Sequence, residues 1–301
     1  MSLIIPKEHQ TAGQIAVLAT AILWSTSGLF IKLVPWHPVV IAGARCFLAA
    51  IFLVCVRILA PPPKGVKNKA FPLWAGAITY SLTMITFVIA NKLTTSANAI
   101  VLQYGAPVWA ALLGWKLNNE KPRWEQWGAL VLVIGGLLLF FRDGLSSGAF
   151  LGDMLAVFSG ITFGANSVFL RMMKDSNPRD SMLLAHVITA LVSIPFIFLY
   201  PVPISVSTVT PILYMGLLQI GLASLLFAYG LKRISAVQAM IIAILEPVLN
   251  PLWVLLIIGE RPSRAALTGG TIIVLAIVTS SIIRKQRENQ ARKGPRGKIP
   301  Q

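Results

Sequence analysis

Two stretches of the chain repeat one another. Residues 91–122 read NKLTTSANAIVLQYGAPVWAALLGWKLNNEKP, and residues 232–262 read KRISAVQAMIIAILEPVLNPLWVLLIIGERP. An offset of 140 positions pairs Pro107 with Pro247 and Glu120 with Glu260, with no gap between those anchors. In both copies a polar start leads into a long apolar helix that contains the matched proline, and a Glu-(Lys/Arg)-Pro turn follows it. The chain is therefore predicted to contain an internal duplication.

The composition is that of an integral membrane protein. Hydrophobic residues make up 56% of the chain, charged residues 12%, and the mean hydropathy is +0.76, whereas soluble domains carry about 25% charged residues. A membrane-spanning helix needs about 20 apolar residues, and ten stretches meet that length. They cover residues 13–34, 38–58, 72–92, 95–117, 123–141, 150–172, 180–199, 208–231, 235–258 and 263–284.

Each copy of the duplication then contains five spans. We predict a first repeat over residues 1–145, a second over 146–284 and a basic cytoplasmic tail over 285–301. The starts of the repeats also correspond, with Trp24 matching Phe163 and Lys32 matching Arg171 at an offset of 139. Because five is odd, the second copy must enter the membrane in the opposite sense. The predicted fold is all-α, with ten transmembrane helices arranged as two inverted five-helix repeats.

The net charge of +16 reflects topology. With ten spans, 20 of the Lys and Arg residues fall in segments on the side of the termini and five on the other side. Basic residues accumulate on the cytoplasmic side of membrane proteins, so both termini are predicted to be cytoplasmic. The basicity therefore does not indicate a nucleic-acid partner; the expected surroundings are membrane lipid.

The matched prolines Pro107 and Pro247 are predicted to bend their helices, because proline removes a backbone hydrogen bond and clashes with the preceding turn. In lipid the freed carbonyl needs another partner, which is available where a helix lines a cavity. A hinge between access states and a static kink are equally compatible with the pattern.

Two charged residues lie deep inside predicted spans. Glu246 directly precedes Pro247, and its counterpart in the first repeat is Ala106. An intramembrane carboxylate usually faces the bundle interior or water, so Glu246 could bind a substrate ammonium, carry a coupling proton or tie helices together. Arg45 either pairs with a carboxylate or extends toward the membrane surface, and the sequence slightly favours the second interpretation.

Aromatic and neutral polar residues within the spans suit a pocket for small amphipathic molecules. For any single one of them, helix–helix packing is the more common role. No His, Cys or Asp pair has metal-ligand spacing, and no catalytic set or phosphate loop is present, so we predict no metal, cofactor or enzymatic activity. The candidate cavity residues besides Glu246 are Trp24, Tyr80, Met84, Phe87, Asn98, Leu102, Tyr104, Phe163, Asn166 and Gln219.

These motifs together resemble the drug/metabolite transporter superfamily and, more narrowly, its ten-helix EamA-type branch. The resemblance rests on the paired proline helices, the Glu-Lys-Pro and Glu-Arg-Pro turns, the Leu245-Glu-Pro-Val248 motif and the opening Gly13, Trp24 and Lys32 pattern. The resemblance covers residues 11–284. Within that branch the chain is similar to bacterial exporters of amino acids, including exporters of aromatic amino acids. The resemblance implies a central cavity formed mainly by spans 3, 4, 8 and 9, with spans 1, 2, 6 and 7 around it and spans 5 and 10 peripheral.

The expected function is export of small metabolites, foremost amino acids, across the bacterial inner membrane by alternating access. Efflux of toxic organic cations or drugs is the alternative within the same class. A membrane-embedded enzyme would need clustered catalytic groups, and none is visible. The expected partners are a small-molecule substrate and lipid, with no obligate protein partner evident.

Overall fold

The computed structural model describes residues 7–61, 68–118, 149–234 and 245–262, together with short runs between 127 and 135, 238 and 243, and 264 and 286. These residues are helical wherever they are regular, and they contain no strand, as predicted. The helices are α1 Lys7–Ser25, α2 Ser27–Leu33, α3 Pro38–Leu59, α4 Ala70–Leu93, α5 Ser96–Gln103, α6 Ala106–Asn118, α7 Phe150–Met172, α8 Pro178–Leu199, α9 Val206–Tyr214, a π-helix Met215–Leu222, α10 Ala223–Leu231 and α11 Leu245–Ile258.

Seven of these segments are long and apolar enough to cross a membrane, and they correspond to predicted spans 1–4 and 6–8. The ninth span is represented by the shorter apolar helix α11. Predicted spans 123–141 and 263–284 lie largely outside the described residues, as do the linker 143–148 and the tail 285–301. The seven spans cover Gln10–Leu33, Pro38–Leu59, Ala70–Leu93, Ser96–Leu117, Phe150–Met172, Pro178–Leu199 and Val206–Leu231.

Local sequence explains where several helices begin. Pro38 and Pro178 occupy the first helical positions of α3 and α8, where the missing N–H has no intrahelical partner to lose. The Thr95 side chain caps α5 by accepting a hydrogen bond from the Asn98 backbone N–H at 3.1 Å, which satisfies one of the free donors of the first turn. Ser205 begins α9 with a reciprocal capping box to Thr208.

The principal helix pairs join the first half of the chain to the second. Helix α1 packs against α10, α4 against α7, α3 against α8, and α5 against α11. The start of α4 meets the end of α7, where the Phe71 and Phe169 ring centroids lie 5.6 Å apart. The end of α4 meets the start of α7, where a Cβ on Gly152 would lie 3.0 Å from the Leu93 Cβ. These two helices therefore run antiparallel.

The two proline-containing spans are interrupted slightly before their prolines. Span 4 divides into α5 and α6 at Tyr104-Gly105, which makes Pro107 the second residue of α6. A turn at Ala243 precedes α11, of which Pro247 is the third residue. The predicted mid-helix kink is thus a break followed by a proline in a first turn, where proline costs no intrahelical hydrogen bond.

Span 8 contains an eight-residue π-helix, Met215–Leu222, between α9 and α10. Longer π-helical stretches are rare, and single-turn π-bulges often occur at functional sites. Gly216 lets this segment approach α3 closely, because a Cβ there would lie 3.0 Å from the Arg45 carbonyl oxygen. The π-helix therefore packs on α3 beside Arg45.

Candidate substrate cavity

A cavity lies between the two halves of the chain. Its wall combines aromatic, neutral polar and charged side chains. The lining residues are Trp24, Ser27, Arg45, Tyr80, Thr83, Met84, Phe87, Gln103, Phe163, Gln219, Ile220 and Glu246.

An aromatic cluster forms one wall of the cavity. The Trp24 ring packs edge-on to Phe163, with centroids 5.5 Å apart, and lies 5.0 Å from Phe227. Trp24 and Phe163 occupy matched positions of the two copies, so two corresponding residues of the duplication contact one another. Such edge-to-face pairs add to the stability from area burial. The Trp24 Nε1–H has no hydrogen-bond partner among the described residues, which leaves a donor available at the cavity.

Glu246 connects the cavity to the two helix breaks. Its Oε2 lies 2.7 Å from the Tyr104 hydroxyl, which is also 2.5 Å from the Ala243 carbonyl oxygen. The single hydroxyl proton of Tyr104 can be donated to either acceptor. Tyr104 belongs to the break in span 4 and Ala243 to the break in span 9, so the breaks meet beside the carboxylate. Glu246 itself is 4% exposed and lines the cavity.

Arg45 also lines the cavity, and the favoured sequence interpretation of its position is wrong. The side chain is 1% exposed and lies among the largest fully buried groups of the described chain, so it does not extend to the membrane surface. Arg45 is the eighth residue of α3, and its guanidinium turns inward toward α4, where Nη2 approaches Met84 Sδ at 3.7 Å. The cavity thus contains one basic and one acidic side chain.

The π-helix contributes Gln219 and Ile220 to the wall. Gln219 Nε2 reaches the Trp24 carbonyl oxygen at 3.5 Å, while its Oε1 has no partner in the described part of the chain. Across the cavity, Gln103 Nε2 donates to Ser159 Oγ at 2.6 Å. The cavity therefore presents neutral acceptors and donors as well as charges.

Seven of the eleven predicted cavity residues line the cavity, and an eighth, Tyr104, is hydrogen-bonded to the lining residue Glu246. The seven lining residues are Trp24, Tyr80, Met84, Phe87, Phe163, Gln219 and Glu246.

Three predicted residues lie away from the lining. Asn98 donates to Asp153 Oδ1 at 3.4 Å, at the junction of α5 and α7. Leu102 is part of the apolar core. Asn166 is fully buried in α7 and lacks a partner among the described residues. None of these three side chains lines the cavity.

The predicted cavity set lacks Ser27, Thr83, Gln103 and Ile220, and the sequence interpretation misplaced Arg45. Arg45 had a usable signal, since it is the one strong base well inside a predicted span. The other four carry no signal that separates them from packing residues. The cavity also draws on spans 1, 2 and 6, through Trp24, Arg45 and Phe163, and the resemblance places these spans around the four central ones.

Charged contacts join the halves at both ends of the bundle. At one end Lys32 Nζ lies 3.2 Å from Glu260 Oε2, and Glu260 Oε1 accepts from the Ser96 backbone N–H at 2.8 Å. At the other end Arg57 pairs with Asp180, which also accepts a hydrogen bond from Asn68 at 2.8 Å. Each end of the cavity is thus flanked by an ion pair between the halves.

Comparison with known proteins agrees with this architecture. A transporter of Bacillus subtilis (strain 168), described as uncharacterized transporter YwfM, is 29% identical over 285 residues, which cover 91% of this chain and 96% of that protein. Human solute carrier family 35 member G1 is 27% identical over 180 residues, 54% of this chain and 49% of that protein. A crystal structure with 18% sequence identity has a TM-score of 0.69 and covers 91% of this chain and 98% of that chain.

The family assignment follows from the whole length of the chain. The profile of the EamA-like transporter family matches twice, over residues 11–142 and residues 150–282. The two matches divide the chain where the duplication does. The protein is a multi-pass membrane protein that belongs to the EamA-like transporter family of the drug/metabolite transporter superfamily.

Proposed function

We propose that this protein is a secondary transporter that exports small metabolites, foremost amino acids, from the bacterial cytoplasm. The observation that carries the proposal is the cavity between the halves, which holds Arg45 and Glu246 within an aromatic and polar wall. Both termini are cytoplasmic in this proposal, and two inverted five-helix halves alternate access to the cavity. The prolines Pro107 and Pro247 act as hinges.

Matched contacts in the two halves support the inverted arrangement. Lys32, at the end of span 1, donates to the Thr94 carbonyl oxygen after span 3 at 3.0 Å. Its counterpart Arg171, at the end of span 6, donates to the Leu231 carbonyl oxygen at the end of span 8 at 3.2 Å. Since α7 runs antiparallel to α4, these equivalent contacts fall at opposite ends of the bundle.

A second pair of contacts repeats the same relation. Lys92 Nζ donates to the Val34 carbonyl oxygen at 2.7 Å, and its counterpart Lys232 Nζ donates to the Ser176 carbonyl oxygen at 2.9 Å. Such two-fold-related contacts are expected of inverted repeats, whose substrate sites lie at the interface between the repeats. Alternating access would open one end by separating Lys32 from Glu260, and the other by separating Arg57 from Asp180.

Efflux of organic cations is the alternative, and one observation favours it. Glu246 faces a cavity with an aromatic wall, which is an arrangement that attracts cations. The buried guanidinium of Arg45 in the same cavity opposes the binding of an organic cation through like-charge repulsion. An amino acid carries a carboxylate and an ammonium group, which can pair with Arg45 and Glu246 respectively. We therefore rank amino acids first.

Counterflow in proteoliposomes tests the proposal. Vesicles loaded with each of the common amino acids in turn should take up the labelled form of those that are substrates, with and without a pH gradient. Counterflow of organic cations such as tetraphenylphosphonium, in the absence of any amino-acid counterflow, would establish the alternative.

The topology gives a direct prediction. Reporter fusions after Gly148 should lie outside the cytoplasm, and fusions after Gln301 should lie inside, because 20 basic residues fall on the side of the termini and five on the other. Alkaline phosphatase and green fluorescent protein fusions at the two positions measure this. An external C-terminus would contradict the orientation, and a cytoplasmic Gly148 would contradict the inverted repeats.

The hinge gives a second prediction. Pro247→Ala should slow transport several-fold while membrane abundance stays near that of the wild type, because alanine favours a continuous helix across the break at Ala243. The rate of counterflow per molecule of protein measures the effect, with Pro251→Ala in the same helix as the control. If Pro247→Ala transports at the wild-type rate, the proline is a passive feature of the fold.

A further inference from the structure

Arg45 presents unused hydrogen-bonding capacity to the cavity. Its Nε and Nη1 have no hydrogen-bond partner among the described residues, and Nη2 meets only the Met84 thioether at 3.7 Å. A thioether is a weak acceptor, whereas a guanidinium carries five N–H donors. Buried polar groups are nearly always hydrogen-bonded, and each exception in a native structure needs an explanation.

The surroundings of Arg45 supply no direct counter-ion. Cys46, Tyr80, His186 and Glu246 are the groups that interact electrostatically with it, and of these only Glu246 is an acid. Glu246 forms no ion pair with Arg45, and its Oε2 is instead engaged by Tyr104. The two opposite charges of the cavity thus face the same space without touching one another. Removing the partner of a buried charge is strongly destabilising, so a partner that arrives with the substrate would relieve an existing cost.

A guanidinium has the geometry to bind a carboxylate. Its planar fork matches the two carboxylate oxygens in a bidentate arrangement, which a point charge such as lysine does not reproduce. Each of the two unpartnered atoms, Nε and Nη1, shares an edge of the fork with Nη2, whose hydrogen bond goes to the Met84 thioether.

We propose that Arg45 binds the carboxylate of the transported molecule while Glu246 faces its ammonium group, so that the cavity selects zwitterions over amines and organic cations. The inference rests on the proposed function and extends it, because it assigns each charge of an α-amino acid to a residue. The aromatic wall around Trp24 and Phe163 then receives the side chain. A purely structural role for Arg45 would require hydrogen bonds to the protein, and within the described part of the chain its side chain makes one, to sulfur.

The test compares amino acids with their amides, which keep the ammonium group and the side chain but lack the carboxylate. L-phenylalanine, L-leucine and L-threonine and their three amides compete for counterflow by the wild-type protein. The wild type should favour the amino acid over its amide by about tenfold to a hundredfold, as expected for hydrogen bonds to a charged group. This comparison needs no variant and therefore does not depend on whether a variant folds.

Variants then assign the effect to Arg45. Arg45→Gln should weaken apparent affinity for the amino acids by a similar factor and leave affinity for the amides unchanged, and Arg45→Lys should be intermediate. Arg264→Gln changes an exposed arginine and serves as the matched control. Equal losses for amino acids and amides in Arg45→Gln would show a structural role and overturn the inference.

The two levels of the proposal fail separately. If the wild type shows no counterflow of any amino acid, the proposed function is overturned, and the inference with it. If the wild type transports amino acids but binds amino acid and amide equally well, only the assignment of Arg45 is overturned.

Discussion

Glu246→Gln is expected to weaken the apparent affinity for amino acids by about tenfold to a hundredfold, which corresponds to about 1.5–3 kcal/mol for a hydrogen bond to a charged group. Glutamine keeps the size of the side chain and can still accept from Tyr104, but it lacks the negative charge that faces the substrate ammonium. Amino-acid analogues without the amine, such as 3-phenylpropionate, should be spared. Competition for counterflow measures both effects.

Two comparisons separate the roles open to Glu246. Tyr104→Phe removes the hydroxyl 2.7 Å from Glu246 Oε2 but keeps the carboxylate, so it reports the structural tie alone. Asp175→Asn neutralises an exposed acid and controls for net charge. If Glu246→Gln loses accumulation driven by a pH gradient but keeps exchange at the wild-type affinity, Glu246 carries a coupling proton. If both activities stay at the wild-type level, Glu246 is a structural tie and its place in the binding site is wrong.

Substituting both Gly160 and Gly164 with alanine is expected to destabilise the bundle severely. These residues are four apart on α7 and let it approach span 4 closely, in the small-residue pattern of membrane helix interfaces. A Cβ would lie 2.6 Å from the Gln103 carbonyl oxygen at Gly160 and 2.6 Å from the Ala106 carbonyl oxygen at Gly164. Both obstacles are backbone atoms on either side of the break in span 4, so neither can move away by a side-chain rotation.

Overpacking costs about 1–3 kcal/mol per site, which exceeds the gain of about 1 kcal/mol from placing alanine in a helix. The double variant should therefore lose most of its folded, monodisperse protein, as measured by size-exclusion chromatography after heating in detergent. Gly114→Ala on α6 is the matched control, since its Cβ would meet nothing nearer than Val168 Cγ2 at 4.0 Å, and it should be neutral or stabilising. Equal thermal stability of the double variant and this control would contradict the close approach.

The sequence predicts the large-scale features of this fold because they depend on local patterns. Span lengths and hydrophobicity identify the helices, and the matched motifs identify the duplication. Glu246 stands out because a carboxylate inside a membrane span costs free energy on any face of its helix. Trp24 and Phe163 are recognisable as counterparts at one offset, and the structure places their rings in contact.

Features that depend on the direction of a side chain are harder to predict. Arg45 can reach either the surface or the interior from the same helix position, and only the packing of α4 and the π-helix against α3 decides between them. The π-helix itself has no sequence signature. Asn98 and Asn166 resemble pocket residues in composition, but neither lines the cavity.

The unequal distribution of charge between the repeats has a consequence for the direction in which cargo is held. Arg45 lies on α3, whereas its counterpart helix α8 has no arginine or lysine beyond Arg179 at its start; Glu246 lies on α11, and its counterpart is Ala106. If two inverted halves exchange conformations, as proposed, Arg45 and Glu246 stay on their own helices. A bound molecule would then keep the same end toward the same helix throughout the cycle, and would leave the cavity without having turned around. The duplication would thus have provided two halves that can exchange conformations. The later divergence at single positions would have fixed the orientation of the bound molecule between them.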